Sequence, residues 1–262
     1  MDWTDEGIVL SARRHGEAAA IASLLTRAHG RHAGLVHGGW GKRGRALLQP
    51  GNAVHARWRA RLSEHLGTFT LEPILTSAAR LFNEPLRLAA LASACALADA
   101  ALPERERHPA VHDALVELLA ALAQDAPGWP ETYVRWEVRL LADLGFGLDL
   151  KRCAATGTEA DLAFVSPRTG RAVSTAAAGP WRERLLPLPA FLAGAEGQSA
   201  AGARATPGSK SPGARAHITE IESIAEGLAL TAHFLERHVF APHGRTLPAA
   251  RRRLAALRLV AD

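Results

Sequence analysis

Between residues 52 and 62 the chain alternates without a break: Val54, Ala56, Trp58, Ala60 and Leu62 fall on even positions, and His55, Arg57, Arg59 and Arg61 on odd ones. A period of two belongs to a strand, so this segment predicts an extended stretch with one face turned inward and a row of cations on the other. Segments 7–14, 31–37 and 67–75 are also of strand length, and Gly30, Gly34, Gly38, Gly39, Gly41, Gly44, Pro50, Gly51 and Gly67 punctuate them. Segment 17–28 leaves two readings open. Its alanines favour a helix, whereas its length and the turn-like Ala28-His29-Gly30-Arg31 at its end favour a hairpin arm. Five short strands within about 75 residues predict a small β-barrel.

From residue 81 the pattern becomes helical. Asn83 can cap a helix over 84–102 with Pro85 in its first turn, a second helix follows over 109–124, and Pro130 opens a third that stops at Leu144-Gly145. Thr219 and Glu222 have the spacing of a capping box ahead of an apolar-periodic run to Phe240, and Thr246 can cap a last helix with Pro248 in its first turn. Segment 194–216 holds no large apolar side chain and is rich in Gly, Ser, Ala and Pro, which predicts a disordered loop. The expected architecture is α+β, with a barrel over 1–80 and a helical domain over 81–262.

Composition narrows the class. The chain has 262 residues, 48% of them hydrophobic and 22% charged, which fits one or two folded domains. The most apolar stretch, 86–102, carries Arg87 and Asp99, so no membrane span is expected. The start, Met1-Asp2-Trp3-Thr4-Asp5-Glu6, is acidic where a signal peptide is basic, and two isolated cysteines, Cys95 and Cys153, suit a reducing compartment. These features predict a soluble cytoplasmic protein. The net charge of +5 is modest, but its distribution is not even: residues 1–80 hold eleven Lys and Arg against six Asp and Glu, and the remainder is balanced. An excess confined to one segment predicts a polyanion-binding module joined to a neutral one.

The cation row gives that excess a face. Same-face residues of a strand are spaced about 6.6 to 6.8 Å, close to the spacing of successive phosphates on an extended strand, so His55, Arg57, Arg59 and Arg61 could follow a nucleic-acid backbone. No acid separates them along the chain. Gly39-Trp40-Gly41-Lys42-Arg43-Gly44 is a literal G-x-G-x-x-G, but Pro50-Gly51 interrupts the chain too soon for a dinucleotide-binding helix. A P-loop is excluded because Arg43 stands where Ser or Thr would bind magnesium and Val36 where the first Gly belongs. Two readings remain: a flexible basic loop in which Lys42, Arg43 and Arg45 meet phosphates and Trp40 stacks a base, or a long hairpin loop with incidental charges. His108 and His112 are four apart but lack a third ligand fixed by sequence, so no metal is expected there. No catalytic constellation appears, and the chain is not expected to be an enzyme. A second basic cluster, Arg245, Arg251, Arg252, Arg253 and Arg258, either complements a helix end, extends a DNA path or receives an acidic peptide.

These features together resemble the bacterial RecO family. The matching residues are Gly7-Ile8-Val9-Leu10, Arg14-His15-Gly16-Glu17, Leu25-Thr26, Gly30-Arg31, Gly34-Leu35-Val36, Gly38-Gly39, Lys42-Arg43, Leu48-Gln49-Pro50-Gly51-Asn52, Trp58 and Leu66-Gly67, then Arg135-Trp136-Glu137, the Leu-Gly-Phe-Gly of 144–147, and Cys153. The resemblance implies an N-terminal OB-fold and a C-terminal α-helical domain, and it moves 17–28 to a strand. It implies binding of single- and double-stranded DNA, annealing of complementary strands, and, with RecR, the loading of RecA onto DNA coated by single-strand binding protein (SSB). The acidic C-terminal tail of SSB is an implied partner of the helical domain, and the bacterial nucleoid the implied location. On this reading the DNA-binding residues are Arg14, Arg31, Trp40, Lys42, Arg43, Arg45, His55, Arg57, Arg59 and Arg61, with Arg245, Arg251, Arg252 and Arg253 as a secondary patch. A protein adaptor bridging RecR and SSB, with little DNA binding of its own, is the alternative. One departure matters. Many members carry zinc between two C-x-x-C pairs, whereas here Cys153 is followed three residues later by Thr156, and no cysteine occurs over 173–177. The expectation is therefore a degenerate zinc-finger region over 153–177 without zinc and no other cofactor.

Overall fold

The computed structural model describes residues 1–62, 64–124, 128–193 and 214–257. Five strands come first: β1 Asp2–His15, β2 Ala19–Thr26, β3 Gly30–Val36, β4 Ala53–Arg59 and β5 Thr68–Leu75, with a six-residue helix α1, Lys42–Leu47, between β3 and β4. They close in the order β1-β2-β3-β5-β4, all neighbours antiparallel except β3 and β5, which meet in parallel at Leu35 and Thr68. This is an OB-fold barrel. Its interior is filled by Val9, Ala20, Ala22, Leu24, Val54, Ala56, Trp58 and Phe69. The ambiguous segment 17–28 is thus the strand β2.

Two local expectations are corrected. The alternation ends with the strand at Arg59, so Leu62 is not an inward residue but stands 48% exposed in the β4–β5 connection. The basic loop is partly helical, because α1 begins at Lys42. Gly44 makes that possible: a Cβ there would lie 2.5 Å from the Gly38 carbonyl oxygen, so only glycine lets the helix rest on the preceding turn.

After the barrel come α2 Ser77–Arg80, α3 Pro85–Ala101, α4 Pro109–Ala123 and α5 Trp129–Leu141, the last running into a wide turn, Ala142–Phe146. Then β6 Leu162–Val165, β7 Ala172–Ser174, α6 Thr175–Ala178 and β8 Leu186–Pro187 form a small subdomain with sheet order β7-β6-β8. The chain ends in α7 Ala214–Phe234 and α8 Ala249–Ala256. Of the loop expected over 194–216, residues 194–213 lie outside the described residues and 214–216 belong to α7. Thr219 is therefore inside a helix rather than at its cap, and Pro248, not Thr246, precedes α8. No helix among the described residues is long and apolar enough to cross a membrane.

The barrel is joined to the helices through its β1–β2 wall. Ile8, Leu10 and Leu25 turn away from the barrel interior and are buried in one cluster with Leu91, Ala94 and Leu97 of α3. A bulge between Val9 and Ser11 marks the place where β1 serves both cores. Segment 102–108 then runs along β3: Arg105 N donates to the Arg31 carbonyl at 2.7 Å, and Gly30, with φ +66°, lets the Glu106 carbonyl come so close that a Cβ would overlap it.

Deep in the helical half lies a polar network. Arg251 of α8 is fully buried; its Nε and Nη2 reach Glu137 of α5, and Nη2 also donates to the Leu228 carbonyl of α7 at 2.8 Å. Thr231 of α7 donates to the same carboxylate, and Tyr133 of α5 shares a hydrogen bond with Ser93 of α3 at 2.6 Å. Four helices are thereby tied by groups that each satisfy another.

Candidate nucleic-acid interface

The outer wall of the barrel carries the cation row where the alternation placed it: His55, Arg57 and Arg59 are all exposed on β4. The neighbouring strands change its meaning. On β1 the register sets Glu6 opposite His55, Thr4 opposite Arg57 and Asp2 opposite Arg59, and on β5 it sets Glu72 opposite His55. Arg57 Nη2 lies 3.4 Å from Asp2 Oδ2, Arg59 Nη2 lies 3.9 Å from the same oxygen, and His55 Nδ1 lies 3.7 Å from Glu6 Oε1. The wall is a checkerboard of both signs rather than a cationic rail. Such exposed pairs are worth roughly 0 to 1 kcal/mol each, so a phosphate can displace them, but it must compete with Asp2 to do so. Arg61 lies beyond the strand and out of the row.

The unpaired cations gather at one pole of the barrel. Arg13, Arg14 and His15 form the end of β1, and the hairpin they open is tied to the turn before α1 by Trp40 N donating to the Ala18 carbonyl at 2.9 Å. Arg14 also donates from Nε to the Gly16 carbonyl at 3.0 Å, which stiffens the hairpin. Lys42, Arg43 and Arg45 are exposed on α1 beside it. Among the described residues, none of Arg13, Arg14, Lys42, Arg43 and Arg45 has a carboxylate within ion-pair distance. Trp40 is half-buried and packs on the barrel core, so only part of its ring is open to a base. The signal for Arg13 was present in the sequence as Arg13-Arg14-His15, a run with no acid before Glu17.

Two expected site residues are occupied elsewhere. Arg31 points from β3 into the barrel–helix junction, where Nε donates to the Leu102 carbonyl at 2.8 Å and Nη1 lies 3.6 Å from Asp99. Arg251, expected in a surface patch, is the buried partner of Glu137. Its neighbours Arg252 and Arg253 are exposed, the Arg245 guanidinium rests over the Phe240 ring, and Arg258 lies outside the described residues.

The opposite pole is aromatic. Trp3 stacks on His29 with centroids 4.2 Å apart, and His32 is enclosed by Trp3, Trp58 and Phe69. Burial foremost, then the charges of Arg105 and His29, pushes the His32 imidazole down to about 4. Neither of its ring nitrogens has a partner among the described residues, which suits a neutral ring inside the barrel. His108 and His112 are not joined at a common ligand position: His108 Nδ1 is held by Asp143 and His112 Nδ1 by Asp113. The described residues hold no group of three or more His, Cys, Asp and Glu side chains suited to a metal.

An OB barrel with a cationic pole, fused through a shared core to a helical domain, meets its counterpart in two family matches. The N-terminal region of recombination protein O matches residues 1–76 and its C-terminal region residues 83–247. The chain belongs to the RecO family. The DNA repair protein RecO of Rhodospirillum centenum is 58% identical over 97% of this chain and 93% of its own length. That of Rhodospirillum rubrum is 50% identical over 97% and 94%, and that of Cereibacter sphaeroides 49% identical over 98% and 98%. Membership sets the chain among proteins of DNA repair and recombination.

The RecO resemblance also implied a zinc position, and the residues present do not fit one. Cys153 is buried, with Ser174 N donating to its Sγ at 3.3 Å and Ser174 Oγ at 3.5 Å. Burial resists the thiolate, yet hydrogen bonds led by those from Ser174 and Thr156 bring the thiol down to about 6. The turn of the finger persists, with Gly157 N donating to the Cys153 carbonyl at 2.8 Å, while hydroxyls stand around the sulfur where further thiolates would be needed.

Proposed function

We propose that the chain is a non-enzymatic recombination mediator of the bacterial cytoplasm and nucleoid. It binds single- and double-stranded DNA, anneals complementary strands and, together with RecR, helps RecA load onto SSB-coated single strands, with the SSB tail held by the helical domain. The observation that carries the reading is the pole at which Arg13, Arg14, Lys42, Arg43 and Arg45 stand without carboxylate partners. Phosphates bound there release counterions without breaking internal ion pairs, which is the physical basis of tight, sequence-independent binding. The wall of His55, Arg57 and Arg59, with Arg61 beyond its end, is a secondary contact because Asp2, Glu6 and Glu72 dilute its field.

The test is the salt dependence of oligothymidylate binding. Replacing the five cations of the pole by Ala lowers the slope of log K against log salt by about 3.5, at about 0.7 per phosphate neutralised, whereas replacing Arg57, Arg59 and Arg61 lowers it by about 1. An unchanged slope in the five-residue variant refutes the assignment. The adaptor reading draws on the charge-balanced wall and the neutral helical half. It predicts that the five-residue variant anneals SSB-coated strands, alone and with RecR, as well as the parent.

A further inference from the structure

The small subdomain between α5 and α7 carries a feature that the barrel pole does not explain. Gly179–Arg184 forms a 3-10 helix, Gly-Pro-Trp-Arg-Glu-Arg, between α6 and β8. In a 3-10 helix residues three apart eclipse one another, and here they are Trp181 and Arg184. The Arg184 guanidinium lies over the Trp181 ring at 5.3 Å from its centroid, and Trp181 is 57% exposed. Beside it the Arg182 guanidinium lies over Phe164 of β6 at 5.4 Å. Among the described residues neither guanidinium has a carboxylate within ion-pair distance.

We propose that Trp181, Arg182 and Arg184 form a second contact for single-stranded nucleic acid, in which a base stacks on the indole while the two guanidinia meet the flanking phosphates. The inference rests on the DNA-binding reading of the chain and extends it to the half expected to be neutral. Stacking on an aromatic face needs no base identity, and a guanidinium, planar and weakly hydrated by nature, is held in place by its ring while its N–H groups stay able to meet phosphate. A protein-docking hot spot uses the same residue types, Trp and Arg, but sets them at the centre of a wider desolvated patch, whereas Trp181 is the sole exposed large hydrophobic among the described residues of 149–187. With one contact on the barrel and another on this subdomain, a single molecule can hold two strands.

The full-length protein is irradiated with oligothymidylate containing 5-iodo-deoxyuridine, the adducts are mapped, and affinity is measured for variants. A cross-link at Trp181 is expected. Trp181→Ala weakens binding about tenfold, Trp181→Phe keeps most of the affinity, and Arg182→Ala with Arg184→Ala lowers the salt slope by about 1. If the Trp181→Ala and double Arg variants bind as the parent does while the barrel-pole variant fails, the second contact is overturned and the barrel reading stands. If those two variants bind DNA normally but lose a protein partner, the surface is a protein interface and the inference is equally overturned. If the parent protein binds no oligothymidylate at all, both readings fall together.

Discussion

Replacing Arg251 by Ala separates a buried strut from a surface DNA patch. Its guanidinium is wholly inside and donates two hydrogen bonds to a Glu137 carboxylate that is itself fully buried. Burial opposes the charge on Arg251, but Glu137 more than offsets this and holds the guanidinium above its ordinary range. Removing it leaves Glu137 buried without its cation, a change that costs about 3 to 5 kcal/mol. For a chain of this size each kcal/mol moves the melting temperature by about 2 to 4 °C, so Arg251→Ala lowers it by roughly 6 to 20 °C. Thermal and urea unfolding followed by circular dichroism give the shift. DNA affinity, measured well below the melt, stays at the parent value. Replacing both members, Glu137→Leu with Arg251→Met, recovers most of the stability because no charge is stranded. An Arg251→Ala protein that melts like the parent and binds DNA more weakly refutes the buried-strut account.

Three further outcomes follow from other parts of the fold. His32 prefers its neutral form when folded, so the unfolded chain binds more protons below pH 6.5 and stability is lost as pH falls from there toward 4; the loss is about 2 kcal/mol by pH 5, and His32→Phe flattens that part of a urea-midpoint profile unless another group is responsible. Gly30→Val drives a Cβ into the Glu106 carbonyl and loosens segment 102–108 from β3, which faster hydrogen exchange at Arg105 N reports; unaltered exchange and stability count against this docking role. Elemental analysis finds no stoichiometric zinc and chelation leaves the melting curve in place; one zinc per chain overturns the reading of Cys153.

What the sequence revealed depended on how many faces each element buries. β4 has one face in the barrel and one in water, so its alternation was plain. β2 has lost that contrast because Leu25 is buried on the helical side while Leu24 is buried in the barrel, and an alanine-rich strand buried on both faces reads equally as a helix. The cation row was legible along its own strand, but its neutralisation by Asp2 and Glu6 depends on cross-strand register, which a linear reading does not supply. In the run Arg251-Arg252-Arg253 a signal existed: Arg251 and Leu254 are three apart on one face of α8, so the first arginine shares its side with a buried leucine. The family resemblance carried the strand assignment of β2 but said nothing about which arginines are spent inside.

The sharing of Ile8, Leu10 and Leu25 with α3 has a consequence for protein engineering. A barrel excised from this chain carries three large aliphatic groups into water, at about 1.5 to 3 kcal/mol each, and invites aggregation along β1 and β2. Chimeras that exchange barrels between RecO relatives must therefore transplant the matching surface of α3 as well, so that the unit of recombination is the seam rather than the linker.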